Sequence, residues 1–198
     1  MNSIQLSKNF WFEEFSFRDH HILSNIQMEM VMNLALLILQ PIRDFLCIYF
    51  KKDIAITIRS GIRFPSDVNR LRQAGYNPSE TSDHLFGNVI KLNSLENIRK
   101  YGKYHTYSVG AVDIVPMCGA KEAWDILRSK FKIGQGIISL PSGDVKIGQC
   151  ILEKRNSYWI HIANPASLIY SLSVANAFLR KPDFLVSDDN GKTYKPIS

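Results

Sequence analysis

The chain has 198 residues, of which 45% are apolar and 21% charged, so a domain with a buried core is expected and disorder is not. Lys and Arg number 24 against 18 Asp and Glu, a net charge of +6 that favours anionic surfaces, but the charges are scattered as on an ordinary solvated surface. Cys47, Cys118 and Cys150 are odd in number, widely spaced and form no Cys-x-x-Cys pair, which argues against a disulfide framework and against thiolate zinc ligation.

In chain order, residues 6–15 are a polar-aromatic opening in which Glu13 and Glu14 suit a first helical turn. Residues 1–19 contain no long apolar run, so no signal peptide is expected. Residues 24–49 predict a helix, with Met28, Val31, Met32, Ala35, Ile38, Leu39 and Ile42 at helical spacing and a kink or split at Pro41. Polar interruptions such as Glu29, Asn33, Gln40 and Arg43 argue against a membrane span. Residues 53–59 alternate as a strand, 60–65 form a turn and 66–74 a short helix. Residues 88–107 are polar without firm periodicity. Residues 109–115 predict a strand ended by Pro116, and 122–131 a helix. Residues 134–143 are turn-rich, after which 145–153 and 158–163 predict an antiparallel hairpin. A helix is expected over 166–179 and a polar tail over 181–198. The expected fold is α+β: a small antiparallel sheet with helices packed on it and a single zinc site.

The zinc expectation comes from three separated residues, His84, Asp113 and His161. Two imidazoles and a carboxylate form a workable catalytic set, in which the fourth position is left for water. His161 lies on a strand face with Trp159 and Ala163, where an imidazole needs a partner. Asp113 stands among Val112, Ile114 and Val115, where a carboxylate must be paired, hydrogen-bonded or metal-bound. Glu153 lies across the hairpin, either as a general base beside the metal or as a surface residue salt-bridged near Lys154 and Arg155. His105 is a rival first ligand, being nearer Asp113, whereas His20 and His21 read as solvated loop residues.

Several segments, in order, resemble the zinc D-alanyl-D-alanine carboxypeptidase and L-alanyl-D-glutamate endopeptidase family, whose phage-encoded members cut peptidoglycan stem peptides. Residues 58–65, Ile-Arg-Ser-Gly-Ile-Arg-Phe-Pro, with Asn69, are similar to its upstream turn. Ser82-Asp83-His84-Leu85-Phe86-Gly87 and Gly110-Ala111-Val112-Asp113-Ile114 are similar to the two halves of its Ser-x-His-x-x-Gly-x-Ala-x-Asp motif. Gln149 to Glu153 and Trp159-Ile160-His161-Ile162 are similar to its closing hairpin. The resemblance covers roughly residues 4–165. It implies a peptidase-like domain over 1–165 and a C-terminal helix and tail over 166–198. It also implies one zinc on His84, Asp113 and His161, with Glu153 as general base and Arg63 steadying the substrate carbonyl or carboxylate. Ser82 would line the same pocket.

The chain departs from that pattern. Asp113 follows His84 by 29 residues. About 22 residues are therefore inserted after Gly87, which is tolerable because lengthening a flexible loop costs little. Lys91 stands where the compact motif would put the Asp, and Ile62 stands where the family has Tyr. The implied function is hydrolysis of an amide in peptidoglycan stem peptides, as an endolysin or virion-associated enzyme. The protein would be made in the cytoplasm and act at the bacterial wall. The insertion near 88–109 and the tail offer surfaces for other virion proteins. Two rivals stand beside this reading. One is a non-catalytic phage structural protein that keeps the peptidase fold. The other is a basic nucleic-acid-binding domain, for which Lys100-Tyr101-Gly102-Lys103-Tyr104 is the sole hint, so no nucleic-acid partner is expected.

Overall fold

The computed structural model of the chain describes residues 3–15, 23–76, 78, 84, 107–108, 110–132, 135–164, 167–168, 183–189 and 193–196. A short helix, α1 (Phe12–Phe15), is followed by one long helical rod. The rod comprises α2 (Asn25–Asn33), a π-helical segment (Leu34–Leu39) and α3 (Gln40–Phe50). Ser24 starts it through a reciprocal capping box with Gln27. The rod does not split at Pro41. The Gln40 N–H donates to the Ala35 carbonyl, one residue further back than in an α-turn, and this wider turn accommodates the proline ring. Val31, Leu34, Ala35, Ile38, Leu39, Ile42 and Leu46 face inward and are buried. By length and composition Gln27–Phe50 is long and apolar enough to cross a membrane, despite its polar interruptions. Half of it is buried here, as in the core helix of a globular fold.

Arg43 and Gln40 tie the N-terminal segment to this rod. Arg43 donates to Asn9 Oδ1 and Asp53 Oδ1. The Gln40 side chain accepts from Ser7 Oγ and the Asn9 N–H. A buried guanidinium is tolerable only with such partners. Phe15 then passes its carbonyl to the Ile62 N–H at 3.1 Å, so the anchored N-terminus touches the turn that leads into the site.

The main sheet, among the described residues, has six strands in the order β1-β3-β8-β7-β10-β11. They are β1 (Ile56–Ser60), β3 (Ala111–Pro116), β7 (Gln149–Lys154), β8 (Tyr158–Ala163), β10 (Asp183–Ser187) and β11 (Lys195–Pro196). Two-residue strands β2 (Tyr107–Ser108) and β9 (Ser167–Leu168) pair separately. A three-stranded sheet is built from β4 (Phe131–Lys132), β5 (Ile137–Leu140) and β6 (Gly143–Lys146). Helix α4 (Pro65–Gln73) follows β1, and α5 (Ala120–Ser129) follows β3. The hairpin of β7 and β8 forms as expected. The strand expected over 145–153 instead divides in two. The Ile147 N–H bonds to Gly136 and the Gly148 N–H to Ala163, so the chain switches sheets at that point. The turn-rich reading of 134–143 missed β5, which pairs with its neighbours in sequence, β4 and β6, across short turns. The C-terminal segment contributes β10, which runs parallel to β7 and makes the sheet mixed rather than antiparallel. Ser167–Leu168 is extended, and the rest of the helix expected over 166–179 lies outside the described residues.

The register separates the two faces of the sheet. Val112, Ile114, Cys150, Leu152, Ile160, Ile162 and Phe184 belong to the buried core. The alternate positions, Asp113, His161, Trp159 and Glu153, share the other face. The sheet thus buries one face and presents chemistry on the other.

Gly61 lies where the N-terminal segment meets this face. A Cβ there would sit 2.7 Å from the Phe15 carbonyl oxygen, a backbone atom that cannot swing away. Gly61→Ala is therefore expected to destabilise the protein by about 1–3 kcal/mol. Thermal unfolding at fixed metal concentration measures this, and an unchanged melting temperature would refute the close approach.

Candidate metal centre

Strands β3 and β8 pair so that Asp113 lies directly opposite His161. Paired residues share a face and approach within about 4.5–5.5 Å at Cβ. His84 comes from outside the sheet and is held by two backbone contacts with the turn after β1. Its Nδ1–H donates to the Gly61 carbonyl at 2.8 Å, and its own carbonyl accepts the Arg63 N–H at 2.8 Å. The Gly61 contact places the proton on Nδ1 and leaves the Nε2 lone pair facing the sheet.

Three ligand atoms converge there. His84 Nε2 lies 3.1 Å from Asp113 Oδ1 and 3.2 Å from His161 Nδ1. His161 Nδ1 lies 3.0 Å from the same Asp113 oxygen. Ligands about 2.0–2.1 Å from a tetrahedral zinc are about 3.3–3.4 Å from one another, so the spacing is close to one face of such a tetrahedron. The imidazole rings meet edge-on, at 66° and 4.9 Å between centroids, which aims both nitrogens inward without stacking. All three residues are buried, and together they form a group that could hold a metal ion. The donor set, two imidazoles and one carboxylate, suits zinc and other borderline divalent cations.

The surroundings orient these ligands. Arg63 Nη2 donates to Asp113 Oδ2 at 3.0 Å, leaving Oδ1 for the imidazoles. Arg63 is itself held by Ser60, whose Oγ accepts from Nε at 3.1 Å and from Nη2 at 3.0 Å. Hydrogen bonds of this kind fix ligand rotamers and raise metal affinity. Burial, partly opposed by Asp113, lowers the pKa of His84 and keeps it in the neutral form a metal requires. Burial acts to raise the Asp113 pKa, but the two facing imidazoles outweigh it and hold the carboxyl well below its usual range.

Glu153 pairs with Trp159 in β7 and β8, one pleat away from His161 on the same face. That register is too distant for a fourth ligand and close enough to serve a reacting group beside the metal position. Burial raises its pKa to about 7, opposed by His161. A carboxyl tuned to neutrality is matched to general-base work. On the other side Glu153 pairs with Ser187 of β10, so the C-terminal segment flanks this residue directly.

The sequence-predicted residues thus divide as follows. His84, Asp113, His161, Arg63 and Glu153 gather on one face, whereas Ser82 and the rival His105 lie outside the described residues. Arg63 meets Asp113 itself, a contact that supplements the substrate-facing role implied by resemblance. Ser60 and the Gly61 carbonyl emerge only from the structure, although both stand in the turn that the sequence singles out. Ile62, in place of the family's Tyr, points into the core and is buried.

No protein-family model matches the chain, and neither a curated protein nor a solved structure shows significant similarity to it.

Native mass spectrometry after zinc reconstitution should show about one zinc per chain, lost in His84→Ala, Asp113→Ala and His161→Ala and kept in His105→Ala. Arg63→Met should weaken zinc binding about 10- to 100-fold through its loss from Asp113. A second expectation concerns the metal-free protein. Glu153 holds its proton in the folded state up to about pH 7 and, when unfolded, releases it near 4.5. The stability this contributes is full below pH 4.5 and is lost as pH rises through about 7. Glu153→Gln should therefore unfold at a higher temperature than wild type at pH 8, with the difference vanishing at pH 4. A pH-independent difference would show that Glu153 is ordinarily solvated.

Proposed function

We propose that this chain is a zinc-dependent peptidase that hydrolyses an amide bond in the stem peptides of peptidoglycan, as a phage endolysin or virion-associated enzyme. One observation carries the reading. Two imidazole nitrogens and one carboxylate oxygen converge at 3.0–3.2 Å, one pleat from a carboxyl whose pKa is raised to about 7. The ordered resemblance of residues 4–165 to the wall peptidases supplies the substrate class.

Zinc held by these three atoms would supply a Lewis acid that polarises a carbonyl and makes water nucleophilic near neutral pH. The chain's own residues do the rest. Glu153 accepts the proton of the attacking water on its carboxylate and delivers it to the leaving amine nitrogen. Its burial favours the first transfer, since an ordinary carboxylate near pKa 4.5 would be a weaker base toward the attacking water. Arg63 keeps Asp113 oriented, and its cationic fork stands beside the site where negative charge develops on the substrate oxygen.

The test is digestion of purified peptidoglycan by the zinc-loaded protein, followed by mass spectrometry of the released peptides. New amine termini at one position of the stem peptide are expected. Glu153→Gln should keep its zinc and lose about 10²–10⁴ in kcat. Undigested walls from a range of stem-peptide types, under full zinc loading, would overturn the assignment.

A further inference from the structure

The helical rod is apolar on more sides than the fold covers. Its inward residues belong to the core, yet half of the large apolar side chains left exposed, among the described residues, stand on the rod as well. They are Met32, Leu36, Leu37, Ile48 and Tyr49, with exposures from 43% at Met32 to 69% at Ile48. Glu29, Met32, Leu36, Gln40, Asp44 and Ile48 recur three and four residues apart, so the uncovered positions form one stripe along the outer side. An apolar stripe of this length marks a surface made for contact.

The charges and the spacing of the stripe identify what it contacts. Glu29 is exposed near the N-terminal end of the rod, and Lys51 and Lys52 are exposed just past its C-terminal end. A second rod laid antiparallel on the first brings each Glu29 to the Lys51–Lys52 end of the other copy and opposes the two helix dipoles. The apolar groups match in the same arrangement. Met32, Leu36 and Leu37 precede Pro41, and Ile48 and Tyr49 follow it. A two-fold axis near Pro41 lays the first group of each copy on the second group of the other. Covering these side chains in both copies removes on the order of 1,000 Å² from water, about what a specific interface needs. A lipid surface fits less well. The half-buried Gln40 and Asp44 interrupt the stripe at its middle, and the Glu29 end would face anionic headgroups.

We propose that the outer stripe of the rod is an interface between two copies of this chain, packed antiparallel about a two-fold axis near Pro41. The pairing requires neither metal nor turnover, so it stands or falls apart from the peptidase reading.

Sedimentation velocity of the full chain, from about 1 to 100 μM, should show a reversible monomer–dimer equilibrium, the behaviour of a modest interface. Leu37→Glu places a charge in the stripe and should weaken the dimer at least about tenfold. Leu37 is exposed, so the variant should melt close to the wild-type monomer. Should it misfold, Ile48→Glu makes the same test. Glu29→Lys should weaken pairing, and its combination with Lys51→Glu and Lys52→Glu should restore it, because the reversal recreates contacts of opposite sign. A wild type that stays monomeric at the highest concentration overturns the interface, as does a dimer that survives Leu37→Glu and Ile48→Glu. Loss in Glu29→Lys without rescue by the reversal overturns the antiparallel arrangement. Monomeric protein that floats with phosphatidylglycerol vesicles, and no longer does so in Leu37→Glu, gives the stripe to lipid and overturns the dimer likewise.

Discussion

The centre of this fold is organised by one anion kept from water. Asp113 sits on an inner strand with two imidazoles against one oxygen and a guanidinium against the other. An unpaired carboxylate at that depth would cost several kcal/mol, so every element that supplies a partner is held in place by the same requirement. Strand β8 must pair with β3 in this register to deliver His161. The turn after β1 must sit close enough for Gly61 and Arg63 to grip the His84 backbone and ring. That turn in turn rests on Phe15, and the segment bearing Phe15 is tied to the helical rod through Asn9, Gln40 and Arg43. The chain of support runs from the N-terminus to the site without a gap.

Where the chemistry was readable in the sequence, the reason is local. Asp113 and His161 each stand in a short apolar run whose two-residue period defines a face, so an ionisable residue there advertises itself. The Ser60-Gly61 turn is legible because its residue types serve close approaches, although which neighbour approaches could not be read. The rod of helix was legible from its stripe of Met, Leu and Ile, but not its continuity through Pro41. That depends on a widened turn that leaves no mark in periodicity.

Contributions from distant segments were hidden. Strand β10 lies beside β7 after an interval of some thirty residues, so it is not implied by its own short apolar run. Likewise the turn that singles out Arg63 does not show that it meets Asp113, 50 residues later. Ser60 is harder still, since an extra residue in β1 brings it to the face of Asp113 rather than that of Ile58. Such features belong to pairing between strands rather than to any one of them.

The spacing of the three ligand atoms along the chain has a thermodynamic corollary. His84, Asp113 and His161 are separated by 29, 48 and 77 residues in their three pairings. No two of them form a chelating pair in an unfolded chain, unlike ligands a turn apart on one helix. A cation held by this trio would discriminate almost completely between folded and unfolded states, so its binding free energy becomes folding free energy. Each tenfold rise in free ion above its dissociation constant would deepen the native well by about 1.4 kcal/mol, making the ion a gauge of ambient metal supply as much as a reagent.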